Sequence, residues 1–547
     1  MRRGFFILFF ISWGFVIWLS IMASQIHWLA FVLLPISILG LYDVFQTKHA
    51  LLRNFPIVGH GRWLMEDIRP FLRQYFFESE TDGTPINRMF RTVIYQRAKG
   101  QLDTVPYGTK IDTQKVGYEW VSHSISAIHH DESIPEPRVK VGGPDCLQPY
   151  QASVFNVSAM SFGSLSGNAI KALNHGAKLG QFYHNTGEGS VSPYHLEPGG
   201  DLVWQIGTGY FGCRTKEGKF CPDSFAKVAS HDSIKMIEIK LSQGAKPGHG
   251  GILPAHKNTA EIARIRLVEE GTRVDSPPSH NAFATPIEMM QFIKQLRDLS
   301  KGKPIGFKLC IGNKSEFMAI CKAMVQTGIK PDFVTVDGGE GGTGAAPLEY
   351  SNSVGMPLRE ALVYVCDVLK GFNLKKDIKV IASGKTFTGF HVVRNIAVGA
   401  DICNSARGMM IALGCVQSLV CNTNECPTGI ATQDPELEKG LVVENKAQRV
   451  ARYHHETVHA ALDIVSSAGL RDHSHLNRGH IFRRISETQI KRFDEIYPSM
   501  AVGCFLTDNY PDEYKKEMQE SSAECFMPRA YVVECTSGLK SIAENRA

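Results

Sequence analysis

IKVIASGKTFTGFHVVRNIAVGADICNSARG, residues 378–408, reads as strand, loop, helix, strand, loop. The apolar run 378–382 ends in Ser383-Gly384-Lys385, and a helical pattern covers 389–397. The second run, 401–404, ends in Ser405-Ala406-Arg407-Gly408. Two strands joined through a helix are parallel, because a hairpin turn cannot make that connection. The same alternation extends upstream. Strands are predicted at 154–158, 182–185, 202–206, 234–241, 305–309 and 333–336, with helices at 168–178, 259–268, 286–299, 316–326 and 357–369. Eight such strands over about 250 residues predict an α/β fold, a (β/α)8 TIM barrel. A doubly wound open sheet is the alternative. It is disfavoured because glycine-rich loops follow many strands, as in a barrel whose site draws on all its strand ends.

Three late strand ends carry glycine. Besides the two above, Asp337 is followed by Gly338, Gly339, Glu340, Gly341, Gly342, Thr343 and Gly344. Glycine lets backbone N–H groups approach an anion, and Lys385 and Arg407 add charge, so these loops predict a phosphate site. No GxGxxG opens a first helix, so a Rossmann dinucleotide site is not indicated. Lys308 lies in an apolar strand and must point at something polar. In a flavin barrel it reaches the pyrimidine edge; a lysine snorkelling from the strand end is the alternative. Asn185, Thr186 and Glu188 end the second strand and face the same mouth. Lys240, Lys246 and Arg266 form a basic set fit for a small dicarboxylate, against the alternative of three solvated charges.

GCVQSLVCNTNECPTGIATQD (414–434) holds Cys415, Cys421 and Cys426 at spacings of six and five. Thiolate ligands of an iron–sulfur cluster come from irregular loops of this kind, often with Pro after the last ligand. A disulfide with a spare thiol is the alternative. Thirteen cysteines in irregular positions fit a reducing compartment. The net charge of +5, without a basic run, argues against nucleic acid as a partner.

The N-terminus differs in kind. Residues 5–23 (FFILFFISWGFVIWLSIMA) are uncharged, and 28–42 are again almost wholly apolar. Each run is near the minimum for crossing a bilayer. Trp18 and Trp28 flank the turn, and Arg2, Arg3, Lys48 and Arg53 flank the pair, which predicts a transmembrane hairpin with both ends cytoplasmic. A signal peptide cleaved near Ala23-Ser24 is the alternative, which the second apolar run opposes. The expected organisation is a hairpin (1–45), a connector (46–130), the barrel with its cysteine loop (131–470) and a C-terminal tail (471–547).

SAMSFGSLS (158–166), NTGEGS (185–190), IKLSQGAKPGHGG (239–251), SPPSH (276–280), DGGEGGTGA (337–345) and the cysteine loop running into CPTGIATQDPEL (426–437) together resemble the FMN-binding synthase domain of glutamate synthases. Within that family the chain is most similar to stand-alone, membrane-anchored members. The resemblance covers the whole predicted barrel. It implies FMN, with Ser158, Ala159, Met160 and Ser161 against the flavin and Lys308 near its ring; Asn185, Gly338, Gly339, Gly341, Gly342 and Thr343 are counted with them as cofactor-binding residues. Ser383, Gly384, Lys385, Ala406, Arg407 and Gly408 would hold its phosphate. It further implies a 3Fe-4S cluster on Cys415, Cys421 and Cys426. Lys246 and Arg266 would take the carboxylates of a 2-oxoacid, with Lys240 in the same set and Glu188 on the ammonia route.

The implied reaction is reductive amination of 2-oxoglutarate or a related oxoacid at the cytoplasmic face of the inner membrane, fed by an electron donor protein or reductase. No glutamine-hydrolysing domain is recognised, so the amine comes from solution or a partner. His249 stands where the family carries an acidic residue, and Ile252 where it carries a glutamine touching the oxoacid. Two further functions remain open: a flavin oxidoreductase acting on an N-substituted amino acid, and a redox subunit or electron-transfer partner of a membrane complex without turnover of its own.

Overall fold

A computed structural model describes residues 2–22, 28–129, 136–507 and 509–528. The turn at 24–27, the Ala23-Ser24 alternative, residue 130 of the connector and the tail beyond 528 lie outside the described residues. The chain forms two compact units, Met1–Arg88 and Met89–Ala547.

In the first unit, helices α1 (Arg2–Met22) and α2 (Trp28–Phe45) lie against each other, with Trp13 Nε1 donating to Ser37 Oγ at 2.8 Å. Their mean hydropathies are 2.3 and 2.0, and both are long and apolar enough to cross a membrane. At the end of α2 the buried Asp43 accepts from the Ile57 N–H at 2.8 Å and pairs with His60 at 2.9 Å, fixing where the following chain turns.

The second unit is a closed barrel of eight parallel strands, as the alternation predicts. In chain order these are β1 (Phe155–Val157), β2 (His184–Asn185), β3 (Leu202–Ile206), β4 (Ile234–Lys240), β5 (Ile305–Leu309), β6 (Phe333–Asp337), β7 (Lys379–Ser383) and β8 (Ile402–Ser405). β8 pairs with β1 and β4 with β5, so neighbours in space are neighbours in sequence. Both faces of the sheet are buried, and the strands therefore read as near-continuous apolar runs.

Side chains alternate inward and outward along each strand, so the interior fills in layers. The lowest layer is apolar: Tyr183, Val203, Met236, Phe333, Ile381 and Ile402, closed from below by Val141 and Ala152 of the hairpin Arg138–Val141/Tyr150–Ser153. Two residues further along, the layer turns polar. Glu238 accepts from Asn185 Nδ2 (2.9 Å), Gln205 Nε2 (2.5 Å) and Thr335 Oγ1 (2.6 Å). Two more residues reach the mouth, where Lys240 and Asp337 end their strands, Asp337 in register with Ser383 at the end of β7. The hydrophobic pattern thus sets a gradient from a dry floor to a charged rim.

The surrounding helices are α3 (Gly167–Leu179), α4 (Pro222–Ala229), α5 (Ala260–Arg266), α6 (Pro286–Leu299), α7 (Lys314–Thr327), α8 (Leu358–Gly371), α9 (Gly389–Val398) and α10 (Arg407–Leu413), with α11 (Val443–Ser467) packed across α3, α9 and α10. Between β2 and β3 only one helical turn, Pro193–Leu196, appears. α4 has no counterpart among the predicted helices.

The tail and the second half of the connector fold together. Glu119–Val121 pairs antiparallel with Ile481–Arg484. Glu119, on that connector strand, is nearly buried and holds three arginines: Arg359 of α8, Arg394 of α9 and Arg483 of the tail. One carboxylate therefore ties the connector and the tail to two barrel helices; without it Arg359 would keep Glu360 at 2.8 Å, but Arg394 and Arg483 would lose the anion they share.

Candidate active site at the barrel mouth

Four residues singled out from the sequence meet above β2–β4. Glu188, just past β2, accepts from Lys240 Nζ at 2.7 Å. Lys246, in the loop after β4, and Arg266, at the end of α5, lie within electrostatic reach of the same carboxylate. All three cations are buried. Burial pushes the Glu188 carboxyl up, but Lys240 above all, then Arg266 and Lys246, outweigh it and hold the group below its ordinary value. Burial and the neighbouring Lys240 push Lys246 down, and burial takes Arg266 to about 10.

Glycine builds the space for this cluster. A Cβ on Gly251 would lie 2.4 Å from Glu188 Oε1, and one on Gly244 would lie 1.9 Å from the Gly338 carbonyl oxygen. The loops after β2, β4 and β6 can approach this closely only with glycine at those points. Arg266 donates to the Phe162 carbonyl at 3.0 Å and lies over the Phe211 ring, 5.2 Å from its centroid. Its Nε has no partner among the described residues. Asp275, the other acid near Lys246, is committed to Arg273 at 3.0 Å. The cluster therefore holds three cations against one paired carboxylate, which suits a dianionic ligand.

On the other side of the mouth, Lys308 on β5 pairs with Asp337 at the end of β6 at 3.2 Å. Burial lowers this lysine, but Asp337 and then Glu238 outweigh it and keep it above its ordinary value, so it stays charged. The Ser158 and Ser383 hydroxyls lie 3.2 Å apart, joining β1 and β7. Ala159–Ser161 continue this segment, with the Met160 N–H donating to the Asn185 carbonyl at 3.3 Å. The Asn185 side chain is engaged within the protein: it donates to Glu238 and accepts from the Gly187 N–H at 3.1 Å.

The Gly338 and Gly339 N–H groups are held by the Ser383 and Met356 carbonyls, which fixes the course of the loop toward Gly341, Gly342 and Thr343. Arg407 reaches the Glu340 carbonyl at 2.9 Å, and the chain beside it passes through Ala406 and Gly408. Burial and then the adjacent Arg407 lower Lys385, which adopts a left-handed φ of 44° next to Gly384. An exposed lysine and a partly buried arginine within electrostatic reach of each other at the ends of β7 and β8 suit an anion, and FMN with its phosphate fits these residues.

The three cysteines are free thiols in one loop. Gln417 and Leu419 within it have positive φ values of 55° and 61°, a strained course of the kind that collects at functional sites. Burial raises Cys415 to about 11, with Cys421 and Cys426 adding to the effect. Burial also raises Cys426, but hydrogen bonds from Thr428 and from backbone N–H groups of the loop outweigh it and favour its thiolate. Among the described residues no three His, Cys, Asp or Glu groups converge as they would on a single metal ion. Ligands of a multi-iron cluster stand further apart than those of one ion. Burial raises Cys421 as well, so the thiolate-favouring donors act on Cys426 alone; three free thiols on one short loop fit such a cluster.

Sequence reasoning missed the support beneath Lys240. His280 Nε2 donates to the Lys240 carbonyl at 2.9 Å, and its Nδ1 faces the Tyr210 hydroxyl at 2.9 Å. That hydroxyl accepts from the Ala282 N–H at 3.1 Å, so its proton goes to the ring and the tautomer follows. Burial holds His280 at about 4, neutral at ordinary pH. Glu238 was missed as well, although alternation along IEIK places it on the inward face with Lys240.

Residues 145–471 match the family model described as the conserved region in glutamate synthase. The chain is 36% identical over 494 residues to the glutamate synthase large subunit-like protein YerD of Bacillus subtilis, covering 83% of this chain and 93% of that protein. It is 34% identical over 316 residues to the archaeal glutamate synthase (NADPH) of Methanocaldococcus jannaschii, covering 57% of this chain and 58% of that protein. A relative from Thermotoga maritima, an archaeal-type glutamate synthase (NADPH), is 32% identical over 314 residues, 57% of this chain and 59% of its own length. With the barrel, the matched span and the near full-length likeness in agreement, the chain belongs to the glutamate synthase family, whose members are oxidoreductases acting on CH–NH2 donors.

Proposed function

We propose that this chain is a membrane-anchored enzyme that reductively aminates 2-oxoglutarate or a closely related oxo diacid. The observation that carries this reading is the buried trio Lys240, Lys246 and Arg266 with a single carboxylate, Glu188, among them. A dicarboxylate supplies the missing negative charge. Arg266, whose Nε has no partner among the described residues, takes one carboxylate in the fork geometry of a guanidinium, and Lys246 the other.

In the reaction, ammonia condenses with the keto carbon and releases water. The resulting imine takes up a hydride and a proton to become the amino acid. FMN, when bound, supplies the hydride, and the iron–sulfur cluster the single electrons that restore it. The protein's part is to hold the diacid, keep bulk water from the imine and keep charge in place. Glu188, ionised and tied to Lys240, lines the side from which an ammonium ion is attracted. His280 and Tyr210 fix the Lys240 backbone beneath it. Lys385 and Arg407 bind the flavin phosphate, and Lys308 faces the ring.

The electrons come from a donor protein or reductase. α1 and α2 anchor the chain in the inner membrane with the barrel on the cytoplasmic side, in keeping with their apolar composition and basic flanks.

A second reading keeps the same site for an N-substituted amino acid. His249, 5.4 Å from the Tyr350 ring, and Ile252 beside Gly251 give the charged cluster an aromatic and apolar flank suited to a nitrogen substituent. An anaerobic assay with a chemical electron source separates the two. Glutamate formed from 2-oxoglutarate and ammonium at a rate at least tenfold above that with pyruvate supports the diacid reading. Turnover only with a primary alkylamine in place of ammonium supports the second. No product with either sinks both.

A further inference from the structure

Lys257 sits in the turn Ala255–Lys257, which leads through the Thr259 cap into α5 and so to Arg266. It is buried, 3% exposed. Its ammonium donates to two carbonyls of the cysteine loop, Cys421 O at 3.0 Å and Ala431 O at 3.4 Å. An ammonium has three protons, so one remains after these two bonds. Among the described residues no carboxylate pairs with it; the groups within its electrostatic reach that can carry negative charge are the thiols of Cys421 and Cys426. Burying a charge without a counter-ion is costly, and a lysine in this position needs an anion. Three thiolates around an iron–sulfur core are that anion, and the core becomes more negative by one charge on reduction.

We propose that Lys257 is the built-in counter-ion of the cluster and that its charge raises the cluster's reduction potential. The inference rests on the proposed 3Fe-4S site. It goes beyond that reading by giving the segment that carries the substrate arginine a direct electrostatic hold on the electron-transfer centre. Potentials of iron–sulfur clusters respond to nearby charge and to hydrogen bonding at the ligand loop. A positive charge beside the core stabilises the reduced form, so removing it disfavours uptake of the electron.

The test is a potentiometric titration of the purified holoprotein, followed by the paramagnetic signal of the oxidised cluster. Iron content and flavin absorbance are measured on the same samples. Wild type, Lys257→Met and Lys257→Arg are compared. With iron retained, Lys257→Met is expected to shift the one-electron equilibrium at least tenfold toward the oxidised form, 59 mV more negative. Lys257→Arg, which keeps the charge, should stay close to wild type. Retained iron with an unchanged potential in Lys257→Met overturns the proposal. If Lys257→Met loses its iron, the arginine variant decides. Iron and potential kept in Lys257→Arg support a role for the charge, and iron lost there too shows that the lysine only shapes the loop and overturns it. A wild-type protein without a cluster signal would refute the proposed cluster itself, an outcome separate from all of these.

Discussion

Arg266→Ala is expected to keep its FMN and lose its grip on the oxoacid. The two sites use different ends of the barrel sequence. Arg266 ends α5, in the segment between β4 and β5, whereas the paired cations Lys385 and Arg407 follow β7 and β8. Truncating one partner of a buried charge pair costs about 2–5 kcal/mol, so the KM for the oxoacid should rise by roughly 30-fold or more. Arg266 also donates to the Phe162 carbonyl and covers Phe211, so part of the effect of alanine is on packing. Arg266→Lys separates the two contributions, since it keeps the charge without the fork and should recover part of the affinity. Release of flavin from Arg266→Ala with unchanged oxoacid affinity would mean that the roles along the barrel are misassigned.

Cys421→Ser should abolish the iron signal and leave flavin binding largely in place. The Cys421 backbone is held by Lys257 through its carbonyl, a contact that the substitution does not touch. The loop's other anchors also remain: Tyr95 donates to the Cys415 carbonyl at 2.6 Å, and Gln433 Nε2 to the Leu165 carbonyl at 2.9 Å. A hydroxyl is a far poorer ligand for iron than a thiolate, so the site loses metal without losing its frame. Iron per flavin, measured on wild type and variant together, reads the result. Iron unchanged in Cys421→Ser would remove this cysteine from the ligand set. The variant should also fail to turn over with a one-electron donor.

The barrel was legible because its strands are buried on both faces and separated by helices, so β5, β6 and β7 stand out as short apolar runs between helical patterns. β2 shows the limit. Only His184 and Asn185 form the strand, although the run 182–185 announces a longer one, because the Tyr183 N–H goes to the Asn156 side chain at 3.1 Å rather than to a neighbouring backbone. Lys240, Lys246 and Arg266 could be picked out as a basic set, but their meeting around Glu188 depends on three separate loops converging. The same holds for Lys257. Nothing in AHKNTAEIARIR distinguishes a surface lysine from one buried under the cysteine loop. His280 closes the SPPSH motif, but its role, like Tyr210 itself, escaped notice for a related reason: only the fold makes the two a pair. The connector showed helical stretches but no chemical motif, and the tail stayed unassigned, since their order depends on contacts across the chain, such as Glu119 to its three arginines.

The central claim is that the cationic cluster at the barrel mouth binds a dicarboxylate beside the flavin. Equilibrium titration of the oxidised holoprotein tests it without needing an electron donor or an amine, with flavin absorbance as the reporter. The account predicts a saturable perturbation by 2-oxoglutarate, at least tenfold weaker binding of pyruvate, and loss of the difference between them in Arg266→Ala. An undisturbed flavin spectrum, or equal affinity for the diacid and the monoacid in the wild-type protein, would contradict it.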